Sequence, residues 1–521
     1  MIRSKQEQIS FLSSDIATEH LIPEGDYFRL FREKVWPLFD DAEFAHLYTE
    51  KTGRPSKSPA VMTMALILQR QLNVSDREME NRARYDIRVK YALGIDLDDY
   101  GFDHSLLGKH RDRLRENNLD KQAFEHVIKA VIEAGLIQPD EVQRTDSTHM
   151  IADIAFVSTR KLIFQAMREI LFAWRNYNNK TFKQIASEFE AYLEKRPKTV
   201  NEIKLSSEEK HSKLTQTVLD ARRLVELVEA HDFNEKTKVY KRTEVLKQIL
   251  NENIDGDDDP KEKDKEDKPR NRVISGSDPD ARTGSKSNKK HFDGYKVHTT
   301  ESVKNHFITN IEVTAGNILD HEPTVEMVVE QKKIGLHPSK LIADKAYGTG
   351  ANIRELRKDE ITLVAPPKEK ISRTGLMKIN EFLYDATKQT VTCPSGEITT
   401  TKYYNKRYDT TVFTFPKETC CNCPLQSKCT TNSTGRKISI SEYYFELKEA
   451  VEYAKTEQYK QDMKLRPMIE GKQSEMVRYH GLRRAAYRGI EKTKVQAYFT
   501  AVAVNLKRFF RLLQNPNLVT A

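Results

Sequence analysis

Apolar side chains recur at helical spacing through most of the first 120 positions. SPAVMTMALILQRQLN opens with Ser58-Pro59, a hydroxyl cap followed by a first-turn proline, and then repeats apolar residues three and four apart. SDREMENRARYDIRVKYALG predicts one helix running from a Ser75/Glu78 capping box to Gly94. DHSLLGKHRDRLREN supplies a third. Short basic helices in series suit a small DNA-binding domain of helix-turn-helix type, with Arg54, Lys57, Lys109, Arg111 or Arg113 near phosphates. A helical packing or dimerisation domain fits the same pattern.

The pattern then changes. VQRTDSTHMIADIAF reads as a buried strand carrying one acid, Asp146, and helical spacing returns in LIFQAMREILFAWRNYNN and VLDARRLVELVEAHDF. In NIDGDDDPKEKDKEDKPRNR, acids, lysines and prolines crowd out apolar residues, which predicts a flexible linker. Alternation resumes in KHFDGYKVHTTESVKNHFITNIEVTAG, and LHPSKLIADKAYGTGANIRELRKDEI reads as strand, loop, helix. A strand-rich cysteine-bearing segment follows, and VQAYFTAVAVNLKRFFRLL predicts a buried helix with basic flanks. The expected protein is therefore mixed α/β. Its parts are a helical N-terminal DNA-binding domain (1–135), a first core strand region (136–157), a helical insertion (158–254), a charged linker (255–285), a second core region (286–370), a strand-rich insertion (371–445) and C-terminal helices (446–521).

Composition narrows the function. With 521 residues, 38% hydrophobic and 31% charged, the chain can bury more than one core. No run of about 20 apolar residues offers a membrane span, and the first residues lack the pattern of a secretory signal, so the cytosol is expected. The net charge is +9, and Met463 to Arg511 holds twelve Lys and Arg against three Glu. Such density suits a polyanion, although a solvated helix face is the ordinary reading of one charge run.

Two isolated acids carry the candidate chemistry. Asp146 is either a hydrogen-bonded turn residue or a metal ligand on a strand. Asp344 closes an apolar strand before a Gly-rich turn, where α/β sheets present functional groups and where aspartates also cap helices. All five cysteines fall between 393 and 429. Cys393, Cys420, Cys423 and Cys429 have the spacing of a four-thiolate structural zinc site, with Cys421 left over; unliganded thiols are the alternative. Trp174 could stack on a base but suits a core better. His149, His298 and His321 read as hydrogen-bonded groups before they read as ligands, and Asn317 and Asp320 as turn residues.

Together RTDST, HFDGYKVH, VTAGNILDHE, LIADKAYG and RPMIEGKQSEM, followed by a basic helix ending in AVNLKRFF, resemble the bacterial insertion-sequence transposases with an Asp-Asp-Glu (DDE) triad. GRPSKSPAVM resembles the helical N-terminal domain that accompanies them. The resemblance implies a ribonuclease-H-like core, a mixed five-stranded sheet with Asp146 on its first strand, Asp344 after its fourth and Glu470 on a later helix. Of the signature Tyr-x2-Arg-x3-Glu-x6-Lys the chain keeps Arg466 and Glu470, while Met463 and Val477 stand at the Tyr and Lys positions and Arg478 lies one residue on. Glu475 is a rival third ligand, and a carboxylate at 470 would also suit a helix first turn without any catalytic task.

Three carboxylates suit Mg2+ or Mn2+, and two such ions about 4 Å apart can activate an attacking oxygen and stabilise a leaving one. The implied reaction is hydrolysis at the element's end, exposing a 3′-hydroxyl that then attacks target DNA. Arg466, Lys472, Arg478, Arg483, Arg484, Arg54 and Lys57 are the expected DNA contacts. Transposon ends and target DNA are the partners, a homodimer the active form, and the nucleoid the place of action. A metal-dependent nuclease of the same fold that does not join strands, and a DNA-binding derivative without catalysis, are the competing readings.

Overall fold

The computed structural model describes residues 11–48, 56–155, 157–194, 206–287, 289–367 and 375–519. Among them no helix is long and apolar enough to cross a membrane.

The N-terminal helices form where their caps predict. Ser58 accepts the Val61 N–H at the head of Pro59–Leu72, and Asn73 ends that helix in the left-handed conformation. The single helix expected over 75–94 is two, Asp76–Tyr85 and Ile87–Leu93. Asp86 takes an extended conformation between them, and its carboxylate accepts the Arg88 N–H. An N-cap inside a helical pattern outweighs the pattern, because the side chain offers the backbone a competing partner.

The main sheet has six strands: β1 (Gln143–Ile151), β2 (Arg282–Ser287), β3 (Lys290–Ser302), β4 (Ile308–Ala315), β5 (Lys340–Ile342) and β6 (Thr362–Val364). β1 pairs antiparallel with β3 and parallel with β5, and β5 pairs parallel with β6. The outer side of β3 is shared, with β2 on its first residues and β4 on the rest. Parallel pairing with β5 stops at Arg144 opposite Ile342, so that edge of β1 is open around Asp146 until Ile151 bridges to Arg484.

A long helix, Ile490–Gln514, lies across β4 and against the N-terminal helices Pro59–Leu72 and Gln122–Glu133. Its Asn505 side chain bonds both the N–H and the carbonyl of Ile308, at 2.8 Å each. One continuous core therefore runs from Phe31 and Met64 through Val127 to Val297, Ile311 and Phe499. The N-terminal helices are packed into the body that carries the sheet.

The described residues of 158–254 form helices around a second core that holds the fully buried Trp174. That tryptophan donates to Thr181 Oγ1 at 3.0 Å and packs edge-on to Phe233, so it is a core residue. The charged stretch expected as a flexible linker is tied down. Val273 enters the helical core and its N–H donates to Glu252 at 2.8 Å, while Asp278 accepts from Tyr295 and from the Gly489 N–H, and Asp280 from the Ile490 N–H. Two of its acids thus satisfy donors at the start of the long helix, which a count of apolar residues does not foresee. Between the main sheet and the C-terminal helices in sequence, two three-stranded sheets pack around Phe382, Phe413 and Phe415, with Cys393 in a turn of one and the other cysteines on or between the short helices Lys417–Cys421 and Gln426–Cys429.

Candidate active site

Where β5 ends, the chain turns outward at Asp344, whose Oδ1 accepts the Ala346 N–H at 2.7 Å. Beside it the open edge of β1 presents Asp146, and across the gap stands the helix Ile469–Tyr479, with Glu470 in its first turn. Asp146, Asp344 and Glu470 line one cavity of about 530 Å³, joined by Asp320 and Lys296 and by Arg478 and Arg483. Strand ends and a helix start converge here because, on the side of β1 away from β3, no backbone among the described residues pairs with it between Arg144 and the bridge of Ile151 to Arg484.

The segment holding Glu470 is fixed to β1 by a buried cation. Arg144 shares a face of the strand with Asp146. It is fully buried and pairs with Glu301, its cross-strand neighbour, at 2.9 Å. It also donates to the Leu465 carbonyl at 3.0 Å and contacts His306 Nδ1 at 2.7 Å. Leu465 directly precedes Arg466, so one guanidinium sets the height at which the third acid's helix begins.

Asp146 is 14% exposed. Burial pushes its carboxyl up to about 6; the Ser147 N–H and Arg466 work against this, and the charges of Asp344 and Asp320 add to it. Arg466 lies 3.3 Å from Asp146 and 3.7 Å from Glu470, so its guanidinium bridges two of the acids rather than offering itself to phosphate. Glu470 is 65% exposed. The donor set is carboxylate oxygen throughout, and the space between Asp146 and Glu470 already accepts positive charge, so divalent cations with oxygen ligands fit. Among the described residues, the trio of His, Cys, Asp or Glu whose ligand atoms all lie within 4.8 Å of one another is Glu80, Asp103 and His104. Those groups are engaged with each other: Glu80 accepts from the His104 N–H and contacts its ring. The three acids of the cavity surround a space wider than that.

The rival Glu475 is held by Lys472 at 3.1 Å and Lys507 at 2.9 Å on the other side of the helix, in a different cavity from the acids. Lys472 goes with it. Arg484 is exposed beside the bridge that its backbone makes with Ile151, and Arg483 donates to the His149 carbonyl at 2.6 Å. Lys57 is paired with Asp99 at 2.7 Å and Arg111 with Asp76, both internal partners, and Arg54 lies outside the described residues. His298 is buried and contacts Thr314 Oγ1 at 2.8 Å, and burial pushes its pKa down to about 4. His149 lines the cavity against Phe292.

Sequence reasoning undervalued Asp320. Its carboxylate takes Lys296 at 2.7 Å and a hydrogen bond from Ser147, which together hold it below the usual carboxylate range against the opposing effect of burial. Lys296 also donates to the Ile318 carbonyl, so the ammonium is steered to the cavity wall. The signal was there in outline, an acid just past a strand end, but its partner sits 24 positions away across the β3–β4 turn. Arg144 and Tyr347 were likewise passed over. The buried Tyr347 lies where the charges of Asp146, Asp320 and Asp344 all act on its hydroxyl.

In the cysteine-bearing region Cys393, Cys420, Cys423 and Cys429 line one cavity of about 460 Å³, while Cys421 is exposed. Burial raises the Cys429 thiol, and the other three sulfurs raise it further against Arg436.

Three family models match the chain. One, described as Transposase domain (DUF772), covers 17–113, and two, each described as Transposase DDE domain, cover 264–391 and 392–510. Asp344 and Glu470 fall inside the latter two. No curated protein and no solved structure matches the chain.

Two outcomes are expected. Arg144→Met strands a buried Glu301 carboxylate and frees the Leu465 carbonyl; breaking such a pair costs about 3–5 kcal/mol, read as a lowered denaturation midpoint. The Asp146 carboxyl rises from 3.8 to about 6 on folding, so the metal-free folded state keeps the extra proton between those values and loses stability as pH climbs from one to the other. Asp146→Asn removes that penalty. It should stabilise metal-free protein by about 1–3 kcal/mol at pH 7.5, with the gain gone near pH 4, measured by thermal unfolding.

Proposed function

This chain is an insertion-sequence transposase of the DDE class, an enzyme that cleaves and transfers DNA strands, and from that premise we propose that Asp146, Asp344 and Glu470 are its catalytic acids. The observation that carries this reading is that the three, remote along the chain, line one cavity. The main sheet supports a ribonuclease-H-like core: ignoring the short β2, its order is β4-β3-β1-β5-β6, with three antiparallel strands followed by two parallel to the first.

Asp146, Asp344 and Glu470 would hold two divalent cations, Mg2+ or Mn2+, which supply an activated attacking oxygen and a stabilised leaving oxygen. The chain's own residues do the rest. β1 and its Arg144 anchor keep Asp146 in place, and the Asx-type turn at Asp344 keeps the second acid at the mouth of the sheet. Arg466 offsets the charge of Asp146 and Glu470, and its guanidinium would be available to the DNA backbone where bound cations took over that role. Lys296, tethered by Asp320, and Arg478 and Arg483 face the cavity and would hold the phosphodiester and its neighbours. A first cleavage leaves a 3′-hydroxyl, which the same pocket presents to target DNA. The protein works on chromosomal DNA at the nucleoid, and bringing two element ends together calls for a homodimer.

Alanine at 146, 344 or 470 should cut cleavage of DNA flanking the element by on the order of a thousandfold or more, with end binding retained. Mapping of cut strands and joined products reads this out; cleavage that survives any one change removes that residue from the triad, and cleavage without joining favours a nuclease.

We also assign Cys393, Cys420, Cys423 and Cys429 to a structural zinc ion. Four thiols around one cavity in a small core are the support, and the ion would close a region with few apolar residues of its own. Purified protein should carry one zinc per chain by elemental analysis and lose it, together with several degrees of thermal midpoint, in Cys423→Ser. Zinc content unchanged in that variant rules the assignment out.

A further inference from the structure

The helix Ile469–Tyr479 is a wall with a cavity on each side. One face carries Glu470 and Arg478 into the acid cavity; the other carries Lys472 and Glu475 into a second cavity of about 330 Å³, closed by Lys507, Arg508 and Arg511 of the long C-terminal helix. The charges of this second cavity do not balance. Glu301 on its floor is spent on Arg144, and Glu475 is shared by Lys472 and Lys507. Arg508 donates its Nε to the Asn305 carbonyl at 2.9 Å, which orients the rest of its fork, and Arg511 has no ion-pair partner among the described residues. Burial and the charge of Arg511 both push the Arg508 pKa down, as expected where two guanidinium groups wait for an anion.

We infer that this second cavity is a subsite for one backbone phosphate of the DNA strand whose scissile phosphodiester lies at the acids. A guanidinium fork and a nearby ammonium are the chemistry that grips a phosphate diester. A helix with its side chains is about 10–12 Å across. A strand crossing the exposed first turn at Met468 and Glu470 would therefore place a phosphate within a few nucleotides of the cleavage point in this cavity. The inference rests on reading the acid cavity as the cleavage site, and it adds a second grip that fixes the strand's register there.

The test uses full-length protein, a duplex carrying the DNA that flanks its gene, and a chelator, so that binding is read without cleavage. Arg511 is exposed, so Arg511→Gln should fold normally, which an unchanged thermal midpoint checks; Lys236→Gln, on the helical insertion, is the control. Removing one phosphate contact should lower the slope of log affinity against log salt by about 0.9 in Arg511→Gln and not in the control. A single methylphosphonate walked through the few nucleotides on either side of the cleavage position should, at one position, weaken wild-type binding several-fold and leave Arg511→Gln unaffected. Equal salt slopes, or a methylphosphonate profile identical in wild type and variant, overturn the subsite. Cleavage with Mg2+ is scored in parallel on the unmodified duplex. Loss of the phosphate effect with triad-dependent cleavage intact refutes the subsite alone, whereas an intact phosphate effect with cleavage surviving Asp146→Ala refutes the site reading alone.

Discussion

A guanidinium cannot be buried without acceptors, and Arg144 is buried completely. Its three partners, Glu301, His306 and the Leu465 carbonyl, belong to the neighbouring strand, the turn that follows it, and the chain that leads into the helix of Glu470. Removing Glu301 would leave charge unpaired in a low-dielectric interior, a penalty of several kcal/mol, and removing either of the others would leave a buried guanidinium N–H without its acceptor. Sheet, turn and helix are therefore held at one relative height by a requirement of charge. Two residues along β1 that height fixes Asp146, and five residues after Leu465 it fixes Glu470.

Around this anchor the site balances opposed demands. Burial makes ionising Asp146 hard, and the acids gathered around its cavity repel one another and make it harder still. Local cations relieve the strain: Arg466 spans Asp146 and Glu470, and Lys296 takes up Asp320. The open edge of β1 beside the acid cavity arises from the shortness of β5, so access to the cavity and carboxylate geometry come from the same break in pairing. The long C-terminal helix packs the N-terminal helices against this sheet and lends its basic residues to the second cavity behind Glu470.

Much of this could be read in the residues. Asp146 and Asp344 stand out because an acid in an apolar strand has few reasons to be there, and Glu470 because Arg466 precedes it at the signature spacing. The alternation of 290–316 and the caps at Ser58 and Gly94 carried their own mechanisms. What stayed hidden depends on partners far apart in sequence. Arg144 looked like one more basic residue, since its worth comes from Glu301 and Leu465. Asp320 looked like a turn residue, since Lys296 reaches it only once β3 and β4 have paired. Asp86 breaks a helix that periodicity runs straight through, because a capping carboxylate competes locally with the ladder. The acids of 255–285 look like solvent-facing charge until Asp278 and Asp280 meet the start of the C-terminal helix. Lys57 and Arg111 have the composition of phosphate contacts, but each has found a carboxylate within the domain.

Anomalous scattering from Mn2+ in crystals of the protein with its end DNA measures the central claim most directly. The account predicts manganese peaks within coordination distance of carboxylate oxygens from Asp146, Asp344 and Glu470 together, with Arg466 moved off the first of them. Manganese bound by only two of these side chains, or by a different set of acids with Arg466 still bridging Asp146 and Glu470, would contradict it.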